Sequence, residues 1–167
     1  DHLIHEGPER QANLEYFSYE AIVKATVMIG ATREAEIGHL VLCNLFRHPV
    51  MTAQALMSLD TLSGGRTFIG LGTGWTEREF RASGIPFPDI ATRLRMLDEA
   101  LTIIRSLLSD HSTTFTGEFY RVEEMILHPK PIRKPYPPIL LGGGGRGLLR
   151  IAAKHADIVN IISGGGR

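Results

Sequence analysis

Residues 66–75 read RTFIGLGTGW, a short apolar run that ends in glycines. A dinucleotide-binding Rossmann turn requires G-x-G-x-x-G after its strand, whereas the rim of another α/β site needs only a strand that runs into a small or polar loop. Counted from Gly70, the second glycine falls at Gly72, but the third position holds Trp75. The fingerprint is incomplete, so the flanking chain decides.

Upstream, Asn13 is a candidate N-cap. Apolar residues at Leu14, Phe17, Ala21, Ile22, Ala25 and Met28 follow at helical spacing, and Gly30 is expected to close that helix. The run IGHLVLC, 37–43, suits a strand buried on both faces, with a buried helical turn as the alternative at that length. Pro49 suits the first position of a second helix, Val50 to Leu62, which Ser63-Gly64-Gly65 ends. Downstream, Asp89 caps a long helix whose apolar residues Ile90, Leu94, Leu97, Leu101, Ile104 and Leu108 alternate spacings of four and three. Residues 113–122, TTFTGEFYRV, read as a small hairpin about Thr116-Gly117. The stretch 128–139, HPKPIRKPYPPI, is too rich in proline for a helix. Pro135 and Pro138 form a PxxP ligand pattern, but the junction with a buried strand favours a stiff lead-in. A strand at Ile139 to Leu141, a helix carrying Leu148, Leu149, Ile151 and Ala152, and a strand at Asp157 to Ile162 complete the chain.

Alternating strands and helices, with strands written as apolar runs, predict an α/β fold with a parallel sheet covered by helices. Chemistry in such folds gathers at the carboxyl ends of strands. Cys43-Asn44, Thr73-Gly74-Trp75, Gly142 to Gly145, and Asn160 with Ser163 all fall there, which points to one shared pocket. The 18 basic residues balance 18 acidic ones, which argues against a nucleic-acid footprint or a polybasic membrane patch. A small molecule is the expected partner. The single Cys43 excludes an intrachain disulfide, and no apolar run has the length of a membrane span. The chain opens on Asp1 without Met and stops at Gly164-Gly165-Gly166-Arg167, so a fragment or processed piece is expected; without a visible signal peptide, the default compartment is the cytoplasm.

Four glycines at 142–145 stand between a strand and a helix N-terminus, and Arg146 follows. This arrangement suits either a phosphate cradle or a turn that needs glycine for its own geometry. His2 is a candidate acid or base beside Asp1, or an ordinary surface histidine. Trp75 is positioned either to stack on a ring or to cover the end of the sheet. Glu79 reads as a solvated helix-start carboxylate, with backbone N–H groups, Arg78 and Arg81 as alternative partners. No histidine or cysteine spacing suggests a metal site, and no G-x-S-x-G supports a serine hydrolase.

The motifs FRHPVMTAQALMSLDTLSGGRTFIGLGTGWTEREF, GIPF, FTGEFYRV, PKPIRKPYPPILLGGGG and IAAKHADIVNI, in that order, resemble the luciferase-like monooxygenase superfamily. Within it, the chain most resembles the type that uses the deazaflavin coenzyme F420. The resemblance implies a TIM (β/α)8 barrel of which residues 1–167 form one partial domain, from about the end of the second strand to the end of the sixth. It implies that His2 serves hydride transfer and that Asp1 faces the cofactor. Leu40-Val41 would form a bulge behind the ring, sometimes with a non-proline cis peptide. Thr73-Gly74 would lie beside the ring, and Gly143, Gly144, Gly145, Arg146 and Ser163 would meet phosphate.

The sugar-phosphate dehydrogenases of the superfamily carry Glu where this chain has Trp75, and Trp where it has Glu6. Both positions are therefore substrate-pocket candidates, and a sugar phosphate is disfavoured. Where those relatives hold phosphate with Thr and Lys, this chain has Ile162 and Gly165. The implied function is F420-dependent hydride transfer with a small organic substrate. An FMN-dependent, oxygen-using monooxygenase is the first alternative, and a non-catalytic flavin-binding relative the second. A homo-oligomer, a dimer, is expected; if the 167 residues are the whole product, the edges of an unclosed barrel require a partner or a dimer to cover them.

Overall fold

The computed structural model describes residues 1–3, 19–109 and 112–161. The elements are α1 (Ala21–Ala31), β1 (Ile37–Gly38), β2 (Leu42–Cys43), α2 (Pro49–Ser63), β3 (Thr67–Gly72), α3 (Glu77–Ser83), α4 (Ile90–Ser109), β4 (Thr113–Thr116), β5 (Arg121–Met125), β6 (Ile139–Gly142), α5 (Arg146–His155) and β7 (Ile158–Asn160). In the main sheet β1 and β2 both pair with β3, β3 with β6 and β6 with β7, all in parallel. Strand order thus follows chain order without reversal. A doubly wound sheet reverses at its switch point, whereas an arc of a (β/α) barrel does not.

The expected strand 37–43 is broken in two. Register explains the break: Gly38 lies opposite Phe68 and Leu42 opposite Leu71, so four steps on one strand match three on the other. The extra residue is absorbed in a bulge at His39–Val41, where the Leu40–Val41 peptide is cis. Two neighbouring strands make room for it. A Cβ on Gly70 would lie 1.6 Å from the His39 carbonyl oxygen, and one on Gly72 or Gly142 would lie 2.7 or 2.9 Å from the Val41 side chain. The glycines of RTFIGLG are therefore present to admit an adjacent bulge.

Helices cover the outer face. α4 contributes Leu97, Leu101, Ile103, Ile104, Leu107 and Leu108, all essentially fully buried. Asp89 starts it by accepting the Ala91 and Thr92 N–H groups, as its side chain suggested. Ile90, expected on the apolar stripe, is instead exposed, because it stands in the first turn beyond the packed region. α2 ends on Gly64 in the left-handed conformation. α1 starts at Ala21 rather than at Asn13, because Glu20 takes a non-helical conformation and caps it by accepting the Val23 N–H; it runs one residue past Gly30, to Ala31, and Asn13 itself lies outside the described residues.

Two carboxylates dock the irregular segments. Asp60, wholly buried on α2, accepts from Thr67 Oγ1 at 2.9 Å and from the N–H groups of Ile132 and Arg133, which fastens the proline-rich stretch. Glu99 on α4 accepts three successive N–H groups, those of Glu118, Phe119 and Tyr120, and so holds the β4–β5 hairpin. No helix among the described residues is long and apolar enough to cross a membrane.

Gly70→Ala is expected to lower the urea midpoint by the equivalent of at least about 2 kcal/mol, since bulge and strand must part. Gly30→Ala, where a Cβ meets nothing within 4 Å, should be neutral or stabilising by up to ~1 kcal/mol.

A pH dependence follows from two buried histidines. Burial holds the pKa of His39 below the ordinary range, and the same holds for His155, where burial outweighs the opposing pull of Asp98. The unfolded chain takes up protons on these rings below about pH 6.5 while the folded chain resists, so stability present above that pH declines on acidification. Denaturant titrations at pH 7.5 and 5.5 should show this decline, and it should flatten in the His39→Asn/His155→Asn double variant.

Candidate functional site

The carboxyl ends of the parallel strands surround a cleft of about 330 Å³. Asp1, His2, Leu40, Val41, Thr73, Gly74, Trp75 and Gly143 all line it, joined by Cys43, Phe46, Glu79, Phe80 and Asn160. Eight of the candidates read from sequence thus meet in one place. Gly144, Gly145 and Arg146 are exposed where β6 turns into α5, immediately beyond Gly143. Glu6 and Ser163 lie outside the described residues.

Asp1 is a structural hub. Its carboxylate accepts a forked pair of bonds from Arg47, at 2.7 and 3.3 Å, and the Cys43 N–H at 3.0 Å. Arg47 also pairs with Glu20, which caps α1 by accepting the Val23 N–H. Burial opposes ionisation of Glu20, yet the Val23 N–H and Arg47 together hold its carboxyl below the usual range. The side chain adjacent in sequence is therefore committed to Arg47 and Cys43, while His2 Nδ1 lies 2.9 Å from Glu79 Oε1.

Glu79 corrects the sequence reading. It is not a solvated helix-start carboxylate but is buried, with 2% exposure. α3 carries it into the cleft wall because Phe80, the next residue, is clamped between Phe46 and Phe87 at centroid distances of 5.0 and 4.6 Å. Arg93 covers Phe87 at 4.0 Å and donates to the Gly74 carbonyl, so the loop after β3 and the helix are fixed together. The only sequence signal was a carboxylate beside an aromatic in TEREF, and its partner lies 77 positions away.

Trp75 stands open to solvent at 71% exposure, with its ring edge-on to His2 at 5.7 Å. Leu40, on the bulge, is similarly exposed. Cys43 lines the floor, and burial pushes its thiol up, so it presents a neutral, weakly polar surface there. The Gly143 N–H donates to the Asn160 carbonyl at 2.9 Å, which draws the ends of β6 and β7 together. No group of three or more potential metal-ligating side chains occurs among the described residues.

The site thus combines a carboxylate-held imidazole, an apolar bulge opposite an exposed indole, and a glycine turn at a helix N-terminus. Comparison with known proteins places the chain. The chain is 33% identical over 139 residues to an F420-dependent glucose-6-phosphate dehydrogenase of Intrasporangium calvum, covering 81% of this chain and 41% of that one. It is 28% identical over 139 residues to an FMNH2-dependent dimethylsulfone monooxygenase of Pseudomonas putida, covering 83% and 38%. An F420-dependent secondary alcohol dehydrogenase structure, in complex with an F420–acetone adduct, superposes with a TM-score of 0.77 at 25% identity, over 86% of this chain and 43% of that chain. The chain spans about two-fifths of the length of these relatives, so its arc is part of a TIM barrel. The family model for luciferase-like monooxygenases matches residues 5–165, and the chain belongs to that family.

Proposed function

We propose that the protein carrying this chain is a flavin-type oxidoreductase that uses the deazaflavin coenzyme F420 for hydride transfer with a small organic substrate. The observation that carries this reading is the convergence of His2, the Leu40–Val41 bulge, Thr73-Gly74 and Gly143 on one cleft at the strand ends. The cofactor supplies the hydride chemistry when bound. The chain's own residues place the ring and handle the proton.

The residues present fit such a group. Gly145 has φ −73° and ψ 144°, which any residue adopts, and a Cβ there would meet nothing within 4 Å. Its backbone does not call for glycine, and among the described residues the space beside it is open, which suits the approach of a phosphate. α5 begins there without a side-chain cap, so its first N–H groups suit a phosphate, with Arg146 beside them. Leu40 and Val41 would back the ring and Thr73 and Gly74 would flank it. Asp1, held by Arg47, would fix the strand end that carries His2. Trp75 would border the substrate, and its indole in place of a carboxylate favours an apolar or aromatic substrate over a sugar. Glu6 and Ser163 are assigned to substrate and phosphate by resemblance. The 28% identity to an FMNH2-dependent enzyme favours FMN with oxygen as the second reading.

Parallel fluorescence titrations of the full protein with F420 and FMN test the cofactor. Deazaflavin binding at least ~10-fold tighter than FMN, about 1.4 kcal/mol, is expected; the reverse preference moves the reading to an oxygen-using monooxygenase. Gly145→Val should leave the denaturation midpoint within about 0.5 kcal/mol of the parent and weaken binding of the phosphate-bearing cofactor by at least ~10-fold.

A further inference from the structure

Glu79 has a place in this site that its position in the sequence does not announce. A buried carboxylate is costly without a partner, and the described partner is an imidazole 77 positions away that reaches it through one particular nitrogen. The contact is made by Nδ1, at 2.9 Å. An ionised carboxylate only accepts hydrogen bonds, so Nδ1 carries the hydrogen and Nε2 becomes the basic nitrogen of the neutral ring.

The carboxylate is held rigidly. α3 is short, but Phe80 is 1% exposed and stacked between two other phenylalanines, and Arg93 ties the outer ring of that stack to the loop after β3. Trp75 stands nearly perpendicular to the His2 ring, with centroids 5.7 Å apart. The imidazole is thus set in angle by the indole and in hydrogen position by the carboxylate.

We propose that Glu79 is a positioning residue that fixes His2 in its Nδ1–H tautomer, so that Nε2 is the nitrogen that takes or gives a proton at the strand-end cleft. Nδ1 keeps its own hydrogen throughout, and Glu79 remains a carboxylate. The proton-handling part rests on the proposed function; the tautomer stands independently of it.

The test is ¹⁵N NMR of histidine-labelled protein above the pH of imidazole titration, with the His2 signals identified by their loss in His2→Gln. The wild-type protein should show His2 protonated on Nδ1. Glu79→Gln, whose amide can donate to Nδ1, should move the ring toward the Nε2–H form. In the cofactor-loaded enzyme the same variant should lower kcat by ~10- to 100-fold, with cofactor affinity held within about twofold. A wild-type ring protonated on Nε2, or a tautomer unchanged in Glu79→Gln, overturns the proposal, and the first of these readings needs no variant to fold. A flipped tautomer with unchanged kcat removes the positioning role. A protein that binds neither F420 nor FMN but shows the Nδ1–H ring, flipped by Glu79→Gln, sustains the pair and removes the proposed function instead.

Discussion

One extra residue in the first strand governs the architecture of this site. Between Gly38 and Leu42 the chain takes one step more than β3 does, and the excess is pushed across the sheet at His39–Val41. The His39 carbonyl then occupies the volume that a side chain at position 70 would need, and Val41 occupies that of positions 72 and 142. A parallel strand pair rarely tolerates such an insertion. Here three glycines on two neighbouring strands absorb it, and an apolar shelf results at the mouth of the sheet. The opening question about RTFIGLGTGW is answered by sterics, since these glycines receive protein.

The glycines after β6 divide differently. Gly142 admits Val41, and a Cβ on Gly143 would come within 2.6 Å of Leu148, so both belong to the fold. A Cβ on Gly144 would make ordinary contact with Ile161 at 3.6 Å, and one on Gly145 would meet nothing within 4 Å among the described residues. Within one run of four identical residues, the first two are needed for packing, and the last two are not required by their neighbours among the described residues. That contrast distinguishes the two halves of the run, which the sequence alone writes identically.

Features set by local period were legible in the sequence: α4 with its capping Asp89, α2 between Pro49 and Gly64, and the apolar parallel strands. The break in 37–43 was not legible from composition or alternation, because an inserted apolar residue leaves an apolar run and the excess appears only against the register of β3. The resemblance supplied it where the residue pattern did not. Glu79 was misread for a related reason. Its burial depends on Phe80, Phe46 and Phe87 stacking across three separate segments and on a histidine from the chain's start, and no window of sequence contains that information. His2 could be singled out, but the residue next to it was not the carboxylate that holds it.

Asp60 joins two separations of very different length, since one carboxylate accepts from Thr67, seven positions on, and from the amide of Ile132, seventy-two positions on. Closing the longer loop costs about 2 kcal/mol more in chain entropy than closing the shorter one. The α2–β3 corner therefore assembles first, with its acceptor already aimed. The proline-rich segment closes the longer loop onto that corner through the amides of Ile132 and Arg133. In kinetic terms, Asp60 belongs at once to an early event through one oxygen and to a late one through the other.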